Sequence, residues 1–262
     1  QFLCFLEDDL RQSLCVEIVG IWSKSTFFGY KNTAWKKWTM PTCHTDFLVG
    51  EGFTTKTDEN GDILIYPKGN LNVSPSGRLP NGGYFFDAIV RQEEIDEDNL
   101  TPREDYKEQF SIYTDEDLKD IEKQVDDYYN NTSYGMILNF GGASFGDVAL
   151  LPGTAFEKTP GVRSIEDFYA YHILYPEYIE EIYDMQLEVA LKNLTLLKQA
   201  AGNKIQAIMV SGTDFGTQIS TLISPYAFKD IYKPRYSIVN DWIHKNTNWK
   251  TFFHSCGAIA PF

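Results

Sequence analysis

The run KTFFHSCGAIAP, Lys250 to Pro261, sets the architecture that the remaining sequence has to match. Thr251-Phe252-Phe253 reads as a short buried strand, and it empties directly into His254-Ser255-Cys256-Gly257. Residues i and i+2 of a strand point the same way, so the His254 imidazole and the Cys256 thiol face a common point. Imidazole and thiolate together suit zinc, and a catalytic zinc takes three protein ligands and keeps one position open. This pair supplies two. An isolated His-x-Cys pair also fits a packed histidine beside an inert buried cysteine. Its placement at the C-terminal end of a strand favours chemistry, because α/β folds build their sites there.

Upstream, three more apolar runs match the same plan. Ile205 to Val210 ends in Ser211-Gly212-Thr213-Asp214-Phe215-Gly216-Thr217-Gln218, which brings the Asp214 carboxylate to the rim of the His-x-Cys pair. Three roles fit Asp214 equally: general acid or base, neighbour of a metal, or loop cap. Met136 to Phe140 runs into Gly141-Gly142-Ala143-Ser144-Phe145-Gly146. Those glycines lack the G-x-G-x-x-G spacing and no helix follows at once, which argues against a dinucleotide site. Val16 to Ile21 ends at Trp22 and Lys24, where an indole can line a pocket or simply pack.

Helices are predicted between these strands. Phe2, Leu6, Leu10 and Leu14 are four apart and predict a helix from Phe2 through Leu14. Thr114-Asp115-Glu116-Asp117 reads as a capping box opening a helix to about Tyr129. Ser164 to Asp167 opens a second, interrupted at Pro176 and stopped by Gly202, with His172 inside it as a packing or surface residue. Ser224-Pro225 caps a helical pair, Tyr226 to Ile231 and Arg235 to Lys245, with His244 near its end. Four strands, 16–21, 136–140, 206–210 and 251–254, with intervening helices imply parallel pairing in an α/β fold. Four strands do not close an eight-stranded barrel. The chain opens inside a helix and stops just after the His-x-Cys turn, as a segment of a larger barrel would.

Residues 25–110 read differently, as an inserted β-rich cap. Short alternating runs, rich in aromatics, Gly and Asn, extend from Ser25 to Ala88. The turn signal Glu59-Asn60-Gly61-Asp62 precedes Ile63-Leu64-Ile65-Tyr66. The loop Ser74 to Gly83, followed by Tyr84-Phe85-Phe86-Asp87, can fold over a substrate or form a hairpin cap with its own aromatic core. Cys43 and His44 are adjacent and would point to opposite faces of a strand, which argues against a shared metal. Residues 91 to 110 are acidic and read as a solvated face.

The composition bounds the partners. With 262 residues, 43% of them apolar, the chain can bury one large core or two smaller ones. Its net charge of −14 argues against nucleic acid or an anionic membrane as partner, and an acidic substrate would need a local basic pocket. Cys4, Cys15, Cys43 and Cys256 show no C-x-x-C spacing, which fits a reducing cytoplasm better than a disulfide framework. In such a compartment the glycosylation patterns at Asn72, Asn131 and Asn193 are chance matches. No run reaches the ~18 apolar residues of a membrane span, and no basic-then-apolar leader is seen.

Taken together, several motifs resemble the uroporphyrinogen decarboxylase superfamily. They are the Phe28-Gly29 to Trp38 segment, Pro75 to Pro80 with Gly83-Tyr84-Phe85-Phe86-Asp87, the loop after Phe140, Thr213 to Gln218 with Ser224-Pro225, and His254-Ser255-Cys256-Gly257. The resemblance spans nearly the whole chain and implies a single (β/α)8 TIM-barrel domain over 1–262, incomplete at both ends. It is nearest to the branch of zinc methyltransferases that act with corrinoid proteins. There, as the resemblance implies, His254 and Cys256 are two zinc ligands, and a cysteine beyond Phe262 is the third. The implied activity moves a methyl group between a small methyl donor or thiol acceptor and a corrinoid carried by a partner protein. Trp22, Tyr84 and Phe145 would line the substrate pocket, and Asp214 with Gln218 would orient the substrate or the metal's surroundings. The decarboxylase of the same superfamily needs no metal but wants a cationic cleft, which suits this acidic chain poorly. A non-catalytic, tetrapyrrole-binding relative is the third expectation.

Overall fold

The computed structural model describes residues 6–262. In chain order its elements are α1 (Asp8–Ser13), β1 (Ile18–Ile21), β2 (Lys36–Met40), β3 (Thr45–Val49), β4 (Thr55–Thr57), β5 (Ile63–Ile65), β6 (Gly77–Leu79), β7 (Asp87–Ala88), α2 (Pro102–Asp105) and α3 (Asp115–Asn131). There follow β8 (Gly135–Asn139), α4 (Ile165–Leu174), α5 (Pro176–Ala201), β9 (Ala207–Ser211), α6 (Pro225–Ala227), α7 (Lys233–Asn246) and β10 (Lys250–Phe253). Two units separate by their internal packing. One comprises Lys24–Leu100 and Ala149–Phe168; the other comprises Leu6–Ser23, Thr101–Val148 and Tyr169–Phe262.

The second unit is a mixed α/β body around the parallel sheet that the strand–helix alternation predicts. Its order is β1-β8-β9-β10, every pair parallel, so that sequence neighbours are sheet neighbours. Ile18 pairs with Gly135, Ile137 with Ala207 and Met209 with Phe252. The two-residue side-chain period then sorts the sheet into two faces. Val19, Ile21, Met136, Leu138, Ile208 and Val210 are all buried. On the other face Ile18 is 55% exposed and Phe252 48% exposed, with Trp22 at its rim 40% exposed. Because parallel crossovers are right-handed, an order that never reverses places α3, α5 and α7 on one side of the sheet.

Local sequence accounts for the ends of these helices. Thr114 Oγ1 accepts the Asp117 N–H at 3.2 Å and Asp117 Oδ2 accepts the Thr114 N–H at 3.1 Å, the reciprocal pair that opens α3. Pro176 at the first turn of α5 separates it from α4, which ends at Leu174, because its ring excludes a continuous ladder. Gly202, at φ +56°, stops α5. Ser224 Oγ accepts the Ala227 N–H at 3.1 Å and opens α6. The sequence predicts two helices after this cap; instead a π-helical turn, Phe228–Tyr232, joins α6 to α7. That wider turn accommodates Pro234, which has no N–H to give. Arg235 ties α7 to α5, donating from Nε to Asp184 Oδ1 at 2.9 Å and from Nη2 to the Glu180 carbonyl at 3.0 Å. The described helix at the start is shorter than the predicted one, covering Asp8–Ser13, and Leu6, Leu10 and Leu14 are exposed. Phe2 and Leu3 lie outside the described residues.

Among the described residues, the first unit holds all six antiparallel strands. β2 and β3 form a hairpin, and β4-β5-β6-β7 form a four-stranded sheet. Phe28, Val49, Phe53 and Ile65 make an aromatic-rich core, with Trp38 and Phe86 packed on it. The predicted turn before β5 is built on Asp58, whose Oδ1 accepts the N–H groups of Asn60 and Asp62, both at 2.9 Å. Residues 149–168 belong to this unit as well. Arg91 Nη2 donates to the Gly153 carbonyl at 2.7 Å, and Gln92 Oε1 accepts the N–H groups of Arg163 and Ser164 at 2.6 and 2.8 Å. No helix among the described residues is long and apolar enough to cross a membrane.

Candidate metal centre

Two loops leave the C-terminal edge of the sheet side by side, one from β9 and one from β10. The His254 N–H donates to the Ser211 carbonyl at 3.0 Å and the Ala258 N–H to the Thr217 carbonyl at 2.8 Å. Between these ties the loops touch through glycine. Gly257 adopts φ +96°, and a β-carbon built on it would lie 2.2 Å from the Gly216 carbonyl carbon. A β-carbon on Gly216 would in turn lie 2.7 Å from the Ala258 nitrogen. Neither position has room for a side chain, so the approach needs both glycines.

This approach brings Asp214, His254 and Cys256 together, one ligand atom from each lying within 4.8 Å of the others. His254 Nε2 stands 3.3 Å from Cys256 Sγ and 3.6 Å from Asp214 Oδ1. Asp214 Oδ1 also accepts the Cys256 N–H at 2.7 Å. The hydrogen-bonded Asp214 carboxylate, and secondly its charge, hold the Cys256 thiol above its usual pKa. A cation at the same point would reverse that, because a coordinated thiol is deprotonated. Half of the His254 side chain and 46% of the Asp214 side chain remain exposed, and Cys256 is exposed too, so solvent reaches the cluster.

The donor set and its spacing fit zinc. With bonds of about 2.0–2.1 Å to nitrogen and oxygen and 2.3 Å to sulfur, tetrahedral angles separate nitrogen from sulfur by about 3.5 Å and nitrogen from oxygen by about 3.4 Å. The 3.3 and 3.6 Å found here lie about 0.2 Å from those values. Nitrogen, sulfur and oxygen are all donors that zinc accepts.

The other residues singled out in the sequence have the following surroundings. Trp22 directly follows β1, which lies three strand spacings or about 14 Å across the sheet from β10. Its backbone is held on α3, with its carbonyl accepting from Gln124 Nε2 at 3.0 Å. Phe145 is fully buried beneath the rim, its ring edge-on to Tyr183 and Tyr236, and its carbonyl accepts from Thr213 Oγ1 at 3.0 Å. Gln218 is exposed in a tight turn closed by the Thr217 N–H on the Ser220 carbonyl at 2.7 Å. Tyr84 belongs to the first unit, where it is 55% exposed. His172 is buried, with Nε2 2.6 Å from Tyr232 Oη; His244 is exposed at the end of α7.

Sequence reasoning passed over Ser255, whose Oγ accepts the Phe215 N–H at 3.1 Å, and the partnership of Gly216 with Gly257. A glycine in both strand-end loops, Asp-Phe-Gly and Ser-Cys-Gly, was the available signal. No protein-family model matches the chain, and no curated protein or solved structure matches it significantly.

Proposed function

We propose that the protein is a zinc-dependent methyltransferase that moves a methyl group between a small substrate and a corrinoid carried by a partner protein in the cytoplasm. The observation that carries this reading is the convergence of Asp214, His254 and Cys256 on one point at the C-terminal rim of a parallel sheet. A (β/α)8 barrel is the fold proposed to surround it. In support, the strand order runs without the reversal that marks doubly wound sheets, and one face of the sheet carries exposed apolar side chains, as the inward-facing side of a barrel wall does.

The motif resemblance expects the third zinc ligand beyond Phe262; the geometry favours Asp214 in that place, joining His254 Nε2 and Cys256 Sγ. Zinc held there would lower the pKa of a thiol acceptor, or polarise the oxygen of a methyl ether. Asp214 orients the cluster through the Cys256 N–H, and the exposed sides of His254 and Cys256 leave room for a small donor or acceptor. In the thiol direction the substrate sulfur would gain the methyl group and lose its proton to solvent. The corrinoid, when bound, would supply the methyl group and retain the electron pair of the carbon–cobalt bond.

Methylcobalamin can stand in for the protein-borne corrinoid. Zinc-loaded protein with a set of small thiols is expected to demethylate it and form the thioether, with the activity lost in Cys256→Ser. Absence of methyl transfer in both directions, from methylcobalamin to thiols and from methylated amines, ethers and thioethers to reduced cobalamin, would overturn the reading.

A further inference from the structure

We infer that Ser255, the middle residue of the His-x-Cys segment, is a positioning residue that holds the metal ligands in register before any metal arrives. The inference rests on the metal-centre reading above and extends it to the groups that build the site. Two cross-loop bonds run in opposite directions between adjacent residue pairs. The Cys256 N–H donates to Asp214 Oδ1 at 2.7 Å, and the Phe215 N–H donates to Ser255 Oγ at 3.1 Å. Each loop therefore offers one side-chain acceptor and one backbone donor to the other. The Gly216–Gly257 contact immediately follows both pairs and fixes how closely the loops can lie.

This clasp joins the loop that carries the oxygen ligand to the loop that carries the nitrogen and sulfur ligands. Asp214 is fixed to the β10 loop by its own carboxylate, which is also the group that would bind the metal. If that were its only anchor, turning the carboxylate toward a cation would loosen the loop. Beside the backbone ties from His254 to Ser211 and from Ala258 to Thr217, Ser255 supplies a side-chain anchor at the ligands themselves that metal binding does not disturb, because its oxygen takes the backbone of Phe215 and makes no demand on the Asp214 carboxylate. Outer groups that orient ligands in this way typically change metal affinity 10- to 100-fold when removed.

The test uses Co(II) as a spectroscopic probe on metal-free protein, comparing the unaltered chain with Ser255→Ala and Ser255→Thr. Threonine keeps the acceptor oxygen and alanine removes it. The unaltered chain and Ser255→Thr are expected to bind Co(II) with the same intense tetrahedral d–d bands. Ser255→Ala is expected to bind it about 10- to 100-fold more weakly, with shifted bands. Equal affinity and an unchanged spectrum in Ser255→Ala would overturn the inference while leaving the metal centre intact. Failure of the unaltered chain to bind Co(II) would instead sink the metal reading itself. If Ser255→Ala does not fold, amide exchange on the metal-free unaltered chain decides: protected Phe215 and Cys256 amides support a preformed clasp, and freely exchanging ones refute it.

Discussion

Replacing Gly257 by alanine probes the approach of the two rim loops at its narrowest point. The new β-carbon would lie 2.2 Å from the carbonyl carbon and 2.3 Å from the carbonyl oxygen of Gly216. Both are backbone atoms, so no rotamer change relieves the clash, and the loops must part by about 1 Å to reach van der Waals contact. That movement breaks the bonds from Cys256 to Asp214, from Phe215 to Ser255 and from Ala258 to Thr217. At about 1 kcal/mol each they amount to roughly 3 kcal/mol. The φ of +96° adds about 1–2 kcal/mol of strain for any L side chain. A loss of about 4–5 kcal/mol lowers Tm by roughly 10 °C or more in a unit of this size. Gly202→Ala is the control, because it has φ +56° with nothing within 4 Å of its β-carbon and therefore feels the strain alone. Thermal unfolding of the two variants side by side is the assay. If Gly257→Ala loses no more stability than Gly202→Ala, the tight contact does not hold the site together and the reasoning fails.

Ser224→Ala removes the acceptor of the Ala227 N–H and is expected to cost about 1 kcal/mol, read as a fall of about 2–4 °C in Tm. In metal-free protein Asp214→Asn removes the carboxylate that holds the Cys256 thiol up. More thiolate then forms at a given pH, and alkylation of the Cys256 peptide, followed by mass spectrometry across pH 7 to 10, should speed up. Burial, aided by the charge of Asp117, pushes the Tyr113 phenol up to about 12. Below pH ~10 both the folded and unfolded chains keep that proton, and between ~10 and ~12 only the unfolded chain releases it. Stability should therefore fall through this window, and Tyr113→Phe should recover about 2 kcal/mol of the loss in denaturant titrations at pH 12.

The parallel sheet was legible because its strands are short apolar runs next to glycine, and helical patterns lie between them. The predicted strand 206–210 is found as Ala207–Ser211 and 251–254 as Lys250–Phe253, but the latter is not the buried strand expected: at the sheet edge, Phe252 is 48% and Phe253 40% exposed. The capping box at Thr114 and the break at Pro176 act through local bonds and ring sterics, which a sequence displays directly. The π-helical turn before α7 was not legible, since a proline in a helical pattern reads as a stop and the widened turn that absorbs it has no signature of its own. For the site, the sequence reads His254 and Cys256 as alternating positions of a strand, whereas β10 ends at Phe253 and both residues lie in the loop that follows, where the bond from the Cys256 N–H to Asp214 helps gather the cluster. The position of Asp214 just past a strand end was legible. The role of Ser255 and the meeting of Gly216 with Gly257 depend on the lateral spacing of two loops 41 residues apart, which periodicity within either loop does not encode.

The most direct test of the account is the zinc bound by the chain after purification without added metal, measured beside Cys256→Ser, His254→Ala and Asp214→Asn. The account predicts about one zinc per chain, lost in the cysteine and histidine variants and weakened in Asp214→Asn. Zinc retained fully in all three variants, or absent from the unaltered chain even when zinc is supplied in excess, would contradict it.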